Sequence, residues 1–341
     1  PWNMTLGAIS DNKIIEKIGK RIGEHTKRIG MHINFAPVVD ININPANPII
    51  GNRSFGEDKN NVTEKSLAFM KGMQNAGIIC NAKHFPGHGD TDADSHHSLP
   101  TINFTRERID SIELFPYRRL INEGLGSVMV AHLNIPALEP RSDFPSSLSS
   151  KVVTDLLQEE LGFNGLIFTD ALSMKGVANF NEPGEIDLAA FLAGNDILLI
   201  SENVPKAHDL IVNAYEKGLV TEERLMHSVK KILLAKYKVG LHNYTPVNDF
   251  NLVEDLNDVV DDVLYEEAME SAITVLKNDD ETLPIKDLKN TKIGYINFGD
   301  DNGEDFLRQL RKYAKIDWVK ADNLNSYIQK LKNYDYVIIG F

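Results

Sequence analysis

The sequence predicts an α/β fold: an eight-stranded βα-barrel whose first strands are absent from this chain, followed by the start of a second α/β domain. Short apolar segments alternate with amphipathic helical segments, which is typical of parallel sheets. Polar and ionisable residues follow nearly every predicted strand, as expected where an active site lies at the carboxyl ends of barrel strands. No Gly-x-Gly-x-x-Gly fingerprint follows any strand, which disfavours the alternative, an open doubly wound sheet that binds a dinucleotide.

The first predicted domain, residues 1–240, repeats a step of one helix and one strand. In the first step Asp11 can cap a helix that ends at Gly30. One face of this helix carries Ile14, Ile15, Ile18 and Ile22. A buried strand follows this helix. The predicted steps are helix 11–30 with strand 33–39, helix 62–76 with strand 77–82, helix 106–123 with strand 127–131, and helix 151–161 with strand 166–169. A fifth strand is predicted at 197–200 and a closing helix at 221–239.

The pattern changes after residue 240. Residues 241–265 are predicted to form a linker, and residues 266–341 the start of a C-terminal α/β domain. Four further strands are predicted there, at 272–276, 292–296, 316–319 and 336–339. Because the chain begins with a proline and ends within a predicted strand, we expect both domains to be incomplete.

Composition excludes several classes of function. The chain has 341 residues, 42% of them apolar, and a formal charge of −13 that is spread along the sequence without a basic stripe. Electrostatic binding to nucleic acid or to an anionic membrane is therefore not expected. No apolar run reaches the roughly 18 residues that a spanning helix needs. The single cysteine, Cys80, lies in a predicted strand, which rules out an intrachain disulfide and indicates a buried thiol.

The segment 83–97 is the most informative part of the sequence. It holds four histidines, three aspartates and three Gly or Pro residues directly behind the predicted strand 77–82. A polar surface loop would explain one such histidine, but it explains this density less well. Asp94 and His96 lie two residues apart, so in an extended loop the carboxylate can accept a hydrogen bond from one ring nitrogen. That bond fixes the tautomer and raises the basicity of the other nitrogen.

Residues that follow other predicted strands also have side chains suited to catalysis or to ligand binding. Asp170 is the first exposed position after strand 166–169, where a carboxylate can act as a nucleophile; the alternative is that it caps the next helix. Arg53 offers a forked cation for ligand hydroxyls, with a surface salt bridge as the alternative. Asp40, Lys83 and His132 are further polar residues at strand ends.

Five short segments, taken in chain order, resemble glycoside hydrolase family 3, specifically its β-N-acetylglucosaminidase branch. The resemblance runs from about Met4 to the linker. The resemblance implies that Asp170 is the nucleophile and that His96, paired with Asp94, is the acid/base. In the family's β-glucosidases a Glu from the second domain usually takes that role, so the Asp-Ser-His motif favours the former branch. The matching segments are NFAPVVD at 34–40, RSFGED at 53–58, KHFPGHG at 83–89, DSH at 94–96 and TD at 169–170.

The resemblance also implies a mechanism and a substrate class. Retaining hydrolysis of a terminal β-linked N-acetylglucosamine would need neither cofactor nor metal, and the substrate would be a chitin fragment or a cell-wall muropeptide. Export to the cell envelope is favoured over a cytoplasmic location, and the oligomeric state stays open. The family's Asp-rich, Gly-Gly-containing loop is not found in this chain. The implied substrate-binding residues are Arg53, Lys83 and His84 on the sugar hydroxyls, and Asp40, His132 and Met174 around the pocket.

Three other functions remain open. The first is a β-glucosidase-type exo-hydrolase of the same family. The second is a metal-dependent hydrolase, although the spacing of its candidate ligands matches no compact zinc signature; these are His84, His88, Asp90, Asp94 and His96. The third is a non-catalytic sugar-binding module. Binding alone needs no nucleophile and acid, so Asp170, Asp94 and His96 together disfavour it.

Overall fold

A computed structural model describes residues 1–91, 98–298 and 302–341 of the chain. It divides the chain into two compact units, Pro1–Ile273 and Thr274–Phe341. Within the described ranges, no helix is long and apolar enough to cross a membrane.

The first unit contains a parallel sheet whose strands are neighbours in chain order. The strands are β1 (Ile33–Asn34), β2 (Ile79–Phe85), β3 (Ser127–Val130) and β4 (Leu166–Thr169), in the order β1-β2-β3-β4. Single parallel bridges extend it, one between Val38 and Lys83 and one between Phe168 and Ile197. The parallel sheet confirms the predicted α/β class. The predicted fifth strand, 197–200, is reduced to the one bridge at Ile197.

Helices alternate with these strands. The α-helices of the first unit are α1 (Asn3–Gly7), α2 (Asn12–Arg28), α3 (Lys59–Asn75), α4 (Arg106–Ser111), α5 (Phe115–Asn122), α6 (Lys175–Ala178), α7 (Glu185–Ala193), α8 (Val204–Glu216), α9 (Glu222–Lys238), α10 (Leu252–Asp255) and α11 (Val259–Ala272). A π-helix spans Lys151–Glu160, and short 3₁₀ turns span Gly51–Arg53, Ser146–Leu148 and Leu241–Asn243.

The local sequence explains how several of these helices begin. Asp11 caps α2 as predicted, because its side chain accepts the Lys13 N–H at 2.9 Å. The predicted helix 106–123 is instead two helices, α4 and α5. Pro116 lies in the first turn of α5, where a residue without an N–H is tolerated. The sequence reasoning did not predict α7 and α8.

Close approach of α2 to α3 forms much of the core beside β1 and β2. Two glycines make this approach possible: a Cβ at Gly19 would lie 2.3 Å from the Phe69 carbonyl oxygen, and one at Gly72 would lie 2.0 Å from that of Glu16. Around this contact the buried side chains form a continuous apolar cluster that reaches β2 and β3. The cluster thus packs α2 and α3 against the strands.

The second unit is a smaller parallel sheet with two helices. Its elements are β5 (Ile293–Asn297), α12 (Glu304–Leu310), β6 (Ile316–Trp318), α13 (Leu324–Leu331) and β7 (Tyr336–Gly340), with the strand order β6-β5-β7. Three of the four predicted strands are present. The strand predicted at 272–276 is wrong: α11 runs to Ala272, and the residues after it have no regular structure. Leu276 is 93% exposed, so the apolar run that suggested a strand is not buried.

Candidate active site

Polar residues of the first unit meet at the carboxyl edge of its sheet. Lys83 and His84 lie among the last three residues of β2, His132 follows β3, and Asp170 follows β4. Asp40 lies beyond β1, in a segment tied to β2 by the bond from the Val39 N–H to the Lys83 carbonyl oxygen, at 2.9 Å. Because neighbouring parallel strands end at one edge, residues far apart in sequence converge there.

Asp40 is the buried centre of a hydrogen-bond network. Its Oδ2 lies 2.7 Å from Nδ1 of His84, and its Oδ1 accepts the backbone N–H of His88 at 2.7 Å. Burial alone would raise the pKa of the Asp40 carboxyl, but the His84 ring and the His88 N–H hold it below its usual value. The side chain has no exposed area, so Asp40 orients His84 rather than facing the pocket directly.

The His84 ring is thereby presented towards Arg53. Nδ1 of His84 faces Asp40, and Nη2 of Arg53 lies 3.4 Å from Nε2, the other ring nitrogen. Nη1 of Arg53 donates to the Ile49 carbonyl oxygen at 3.0 Å, which fixes the guanidinium. Burial, followed by the charge of Arg53, lowers the pKa of Lys83, while the carboxylates of Asp170 and Asp40 oppose the shift. Arg53, Lys83 and His84 thus form one cationic and hydrogen-bonding group.

Asp170 lies beside this group. Its Oδ1 accepts the Ala171 N–H at 2.8 Å, and its own N–H donates to the Val130 carbonyl oxygen at 2.9 Å. Burial would raise the pKa of Asp170, but His84, the Ala171 N–H and Lys83 keep it below its usual value, so the carboxylate is ionised near neutrality. It does not cap the next helix, because α6 has Met174 at its N-cap position.

His132 is fully buried and ties two loops together. Its Nδ1 lies 2.7 Å from Oγ of Ser147, and its Nε2 lies 3.0 Å from the Ala171 carbonyl oxygen. Burial lowers the pKa of His132, so the ring is neutral, with Nε2–H donating to Ala171 and Nδ1 accepting from Ser147. Like Asp40, His132 is a positioning residue, because its bond to Ala171 holds the residue next to Asp170. Met174, also buried, donates its N–H to the same Ala171 carbonyl oxygen at 3.0 Å.

Sequence reasoning missed the residues that fix the segment 88–91. Nδ1 of His88 lies 2.7 Å from Oγ1 of Thr91, and Nδ2 of Asn47 donates to the His88 carbonyl oxygen at 2.8 Å. A Cβ at Gly89 would lie 2.0 Å from the Ile41 carbonyl oxygen, so only glycine fits there. The density of glycine and histidine in the sequence is the one signal that could have indicated this packing. Asp94 and His96 lie outside the described residues.

The described part of the chain shows how its histidines are engaged. Among residues 1–91, 98–298 and 302–341, no group of three or more His, Cys, Asp or Glu side chains is arranged to hold a metal ion. His84 is bonded to Asp40, and His132 to Ser147 and a carbonyl oxygen. These two histidines serve a hydrogen-bond network.

Comparison with known proteins identifies the family. The model of the glycosyl hydrolase family 3 N-terminal domain matches residues 1–235. The chain belongs to glycoside hydrolase family 3. The resemblance predicted from the motifs is thereby confirmed.

Family 3 relatives match most of this chain. β-Hexosaminidase A of Pseudoalteromonas piscicida is 33% identical over 339 residues, which cover 92% of this chain and 55% of that protein. The β-N-acetylglucosaminidase/β-glucosidase of Cellulomonas fimi is 31% identical over 291 residues, 83% of this chain and 52% of that protein. The chain therefore spans about half the length of these curated relatives. The solved family 3 β-N-acetylglucosaminidase from Paenibacillus sp. strain FPU-7 has 31% identity and a TM-score of 0.75, with coverage of 99% of this chain and 67% of that one.

Proposed function

We propose that the protein is a retaining glycoside hydrolase that releases terminal, non-reducing, β-linked N-acetylglucosamine. One observation carries the proposal: Asp170 is an ionised carboxylate at the carboxyl end of β4, beside the cationic group formed by Arg53, Lys83 and His84. A nucleophile next to fixed hydrogen-bond donors for hydroxyls is what glycosyl transfer to the enzyme needs. The names of the bacterial relatives support the N-acetylglucosaminide as substrate.

The reaction proceeds in two displacements. In the first, a carboxylate oxygen of Asp170 forms a bond to the anomeric carbon as the glycosidic C–O bond breaks, and His96 gives a proton to the leaving oxygen. In the second, His96 takes a proton from water, the water oxygen bonds to the anomeric carbon, and Asp170 is released. The assignment of His96 and of its partner Asp94 rests on the family resemblance.

Arg53, Lys83 and His84 bind the hydroxyls of the terminal sugar in this proposal. Their geometry is fixed before substrate arrives: Asp40 holds the ring of His84, and the Ile49 carbonyl oxygen holds Arg53. Donors that need no rearrangement stabilise charge better in the transition state than mobile ones do. Asp40 and His132 act as positioning residues. Met174 is buried and bonded through its N–H to the Ala171 carbonyl oxygen, in the loop that carries Asp170.

We propose that the first unit is part of a βα-barrel. The sheet order β1-β2-β3-β4 follows the chain without a reversal, and Ile197 continues it on the far side of β4. A doubly wound sheet reverses its order at a switch point, whereas a barrel adds each strand beside the last. In this proposal residues 1–240 form the catalytic domain, 241–265 the linker, and 266–341 the start of the C-terminal domain.

Covalent trapping tests the proposal most directly. A fluorinated N-acetylglucosaminyl donor that turns over slowly should label Asp170, as read by peptide mass spectrometry. Asp155→Ala, an exposed aspartate on the π-helix, serves as the matched control and should be labelled like wild type. A label on a different residue would refute the assigned nucleophile. Aryl N-acetylglucosaminide should be hydrolysed faster than aryl glucoside; the reverse order would favour the β-glucosidase alternative.

A metal dependence would support the metallohydrolase alternative. Both catalytic roles in the proposed mechanism are filled by side chains, so hydrolysis should continue in excess chelator. Activity that is lost with chelator and restored by zinc would contradict the proposal.

A further inference from the structure

The loops that follow β3 and β4 carry an exposed aromatic and cationic surface. The rings of Phe144 and Phe180 meet edge to face, with centroids 4.9 Å apart and an interplanar angle of 83°. Cζ of Arg141 lies 3.4 Å from the centroid of Phe144. We name these three residues, Arg141, Phe144 and Phe180, the rim patch.

A buried carboxylate holds the guanidinium of the rim patch in place. Glu139, 1% exposed, accepts hydrogen bonds from Nε and Nη2 of Arg141 at 2.8 and 2.7 Å, and one from Ser149. These bonds, chiefly those from Arg141, lower the pKa of Glu139 to about 2. Nη1 of Arg141 has no hydrogen-bond acceptor within the described ranges, and the side chain is 55% exposed. The guanidinium is therefore rigid and still offers a donor to solvent.

An apolar cluster holds the aromatic half of the rim patch from below. Phe144 packs on a buried group that includes Leu148, Leu172 and Val177. Phe180 packs on the other side chain of this pair, Phe144, and is 37% exposed. Phenylalanine at such a position presents an apolar surface to solvent without the rotamer freedom of a long aliphatic chain.

The two loops that carry the rim patch also carry His132 and Asp170 of the proposed active site. The two loops are joined first by His132, whose Nε2–H reaches the Ala171 carbonyl oxygen next to Asp170, at 3.0 Å. They are joined again by the contact of Phe144 with Phe180. Between the two junctions the loop after β4 makes only the short helix α6, which leads from Met174 to Phe180. The loop after β4 therefore begins at the proposed nucleophile and reaches the rim patch ten residues later, at Phe180.

The order of the strands gives this surface a direction relative to the substrate. The groups proposed to hold the terminal sugar lie at the end of β2 and in the segment after β1, whereas Asp170 and the rim patch lie in the loops after β3 and β4. A sugar held on the first side, with its anomeric carbon at Asp170, extends its leaving group towards the second side.

We propose that the rim patch binds the leaving sugar, a pyranose ring attached through the scissile bond; this rests on the proposed glycosidase function. The apolar face of the pyranose packs on Phe180, and Nη1–H of Arg141 donates to one of its hydroxyl or acetamido oxygens. The site thereby selects oligosaccharides over glycosides with small leaving groups.

Two substrates test the proposal: N,N′-diacetylchitobiose, which fills the rim patch, and methyl β-N-acetylglucosaminide, which does not reach it. In Phe180→Ala, kcat/KM for the disaccharide should fall about two- to tenfold, the value of one aromatic contact, with the methyl glycoside unchanged. Phe180→Tyr should retain wild-type preference. Phe250→Ala, a phenylalanine that is 73% exposed and lies outside the loops of the site, is the matched control and should change neither value.

The outcomes separate the two proposals. If the wild-type protein hydrolyses neither substrate, the proposed function fails. If it hydrolyses both and Phe180→Ala slows them equally or not at all, the rim patch is not the leaving-group site. Should Phe180→Ala unfold, as judged by thermal melting, Phe180→Leu keeps apolar contact with Phe144 but removes the flat ring, and the same loss of preference is expected.

Discussion

Replacing Asp40 by asparagine should weaken both folding and catalysis, because this side chain accepts all its bonds as an ionised carboxylate. Oδ2 takes the His84 Nδ1–H at 2.7 Å, and Oδ1 takes the His88 N–H at 2.7 Å. An asparagine has one acceptor oxygen, so its NH₂ group must face one of these donors whichever way it is oriented. A buried donor is then left without an acceptor.

The size of the effect follows from that lost bond. An unsatisfied buried polar group costs about 1–3 kcal/mol, and more where the lost bond was charge-assisted. For a domain of this size each kcal/mol lowers Tm by about 2–4 °C. If the same free energy is lost from transition-state binding through a misplaced His84 ring, kcat/KM falls about five- to 150-fold.

The difference in Tm between wild type and Asp40→Asn should also depend on pH. The pKa of Asp40 is lowered in the folded protein, so its contribution to stability is present above the unfolded pKa and is lost as the pH falls through the folded pKa. The Tm difference between wild type and Asp40→Asn should therefore be full at neutral pH and shrink in acid.

Thermal melting and initial rates on an aryl N-acetylglucosaminide measure these effects. Asp209→Asn is the control, since that side chain on α8 is 76% exposed and pairs with the adjacent, similarly exposed His208. Wild-type Tm and wild-type kcat/KM in Asp40→Asn would refute the role given to this carboxylate.

Three further predictions concern other residues. Asp170→Ala should abolish turnover without lowering Tm, since the residue supplies a nucleophile rather than core packing; activity within tenfold of wild type would remove it from that role. His96→Ala should slow poor leaving groups about 10²–10⁴-fold more than activated aryl groups, with a milder pattern for Asp94→Asn, and equal losses on both substrate types would contradict general acid catalysis. Asp196→Ala should destabilise the fold by about 3–5 kcal/mol in chemical denaturation, because it strands the cation of Lys231, 2.5 Å from Asp196 Oδ2. Here kcat should be unchanged below the melting transition, and an unaltered unfolding midpoint would disprove the structural role.

Most strands of the first unit and the cap of α2 were predicted from the sequence, because the residues that mark them lie within or beside each element. The apolar segments at 127–131 and 166–169 are strands as expected, since a strand buried on both faces is marked by its own residues. The cap at Asp11 likewise depends on residues only two positions apart. Failures occurred where burial depends on a distant neighbour: the apolar run 272–276 has the composition of a strand but stays exposed.

The sequence by itself determined the family and the residue types at the strand ends, because motifs such as KHFPGHG are contiguous. It did not distinguish residues that face the substrate from residues that hold those side chains in position. Asp40 and His132 were expected around the pocket, and only the tertiary structure placed both in the interior, bonded to His84 and to Ala171. Burial and hydrogen-bond partners depend on which strands become neighbours in space, and those contacts join residues as far apart in the chain as Asp40 and His84. The sheet order decided them.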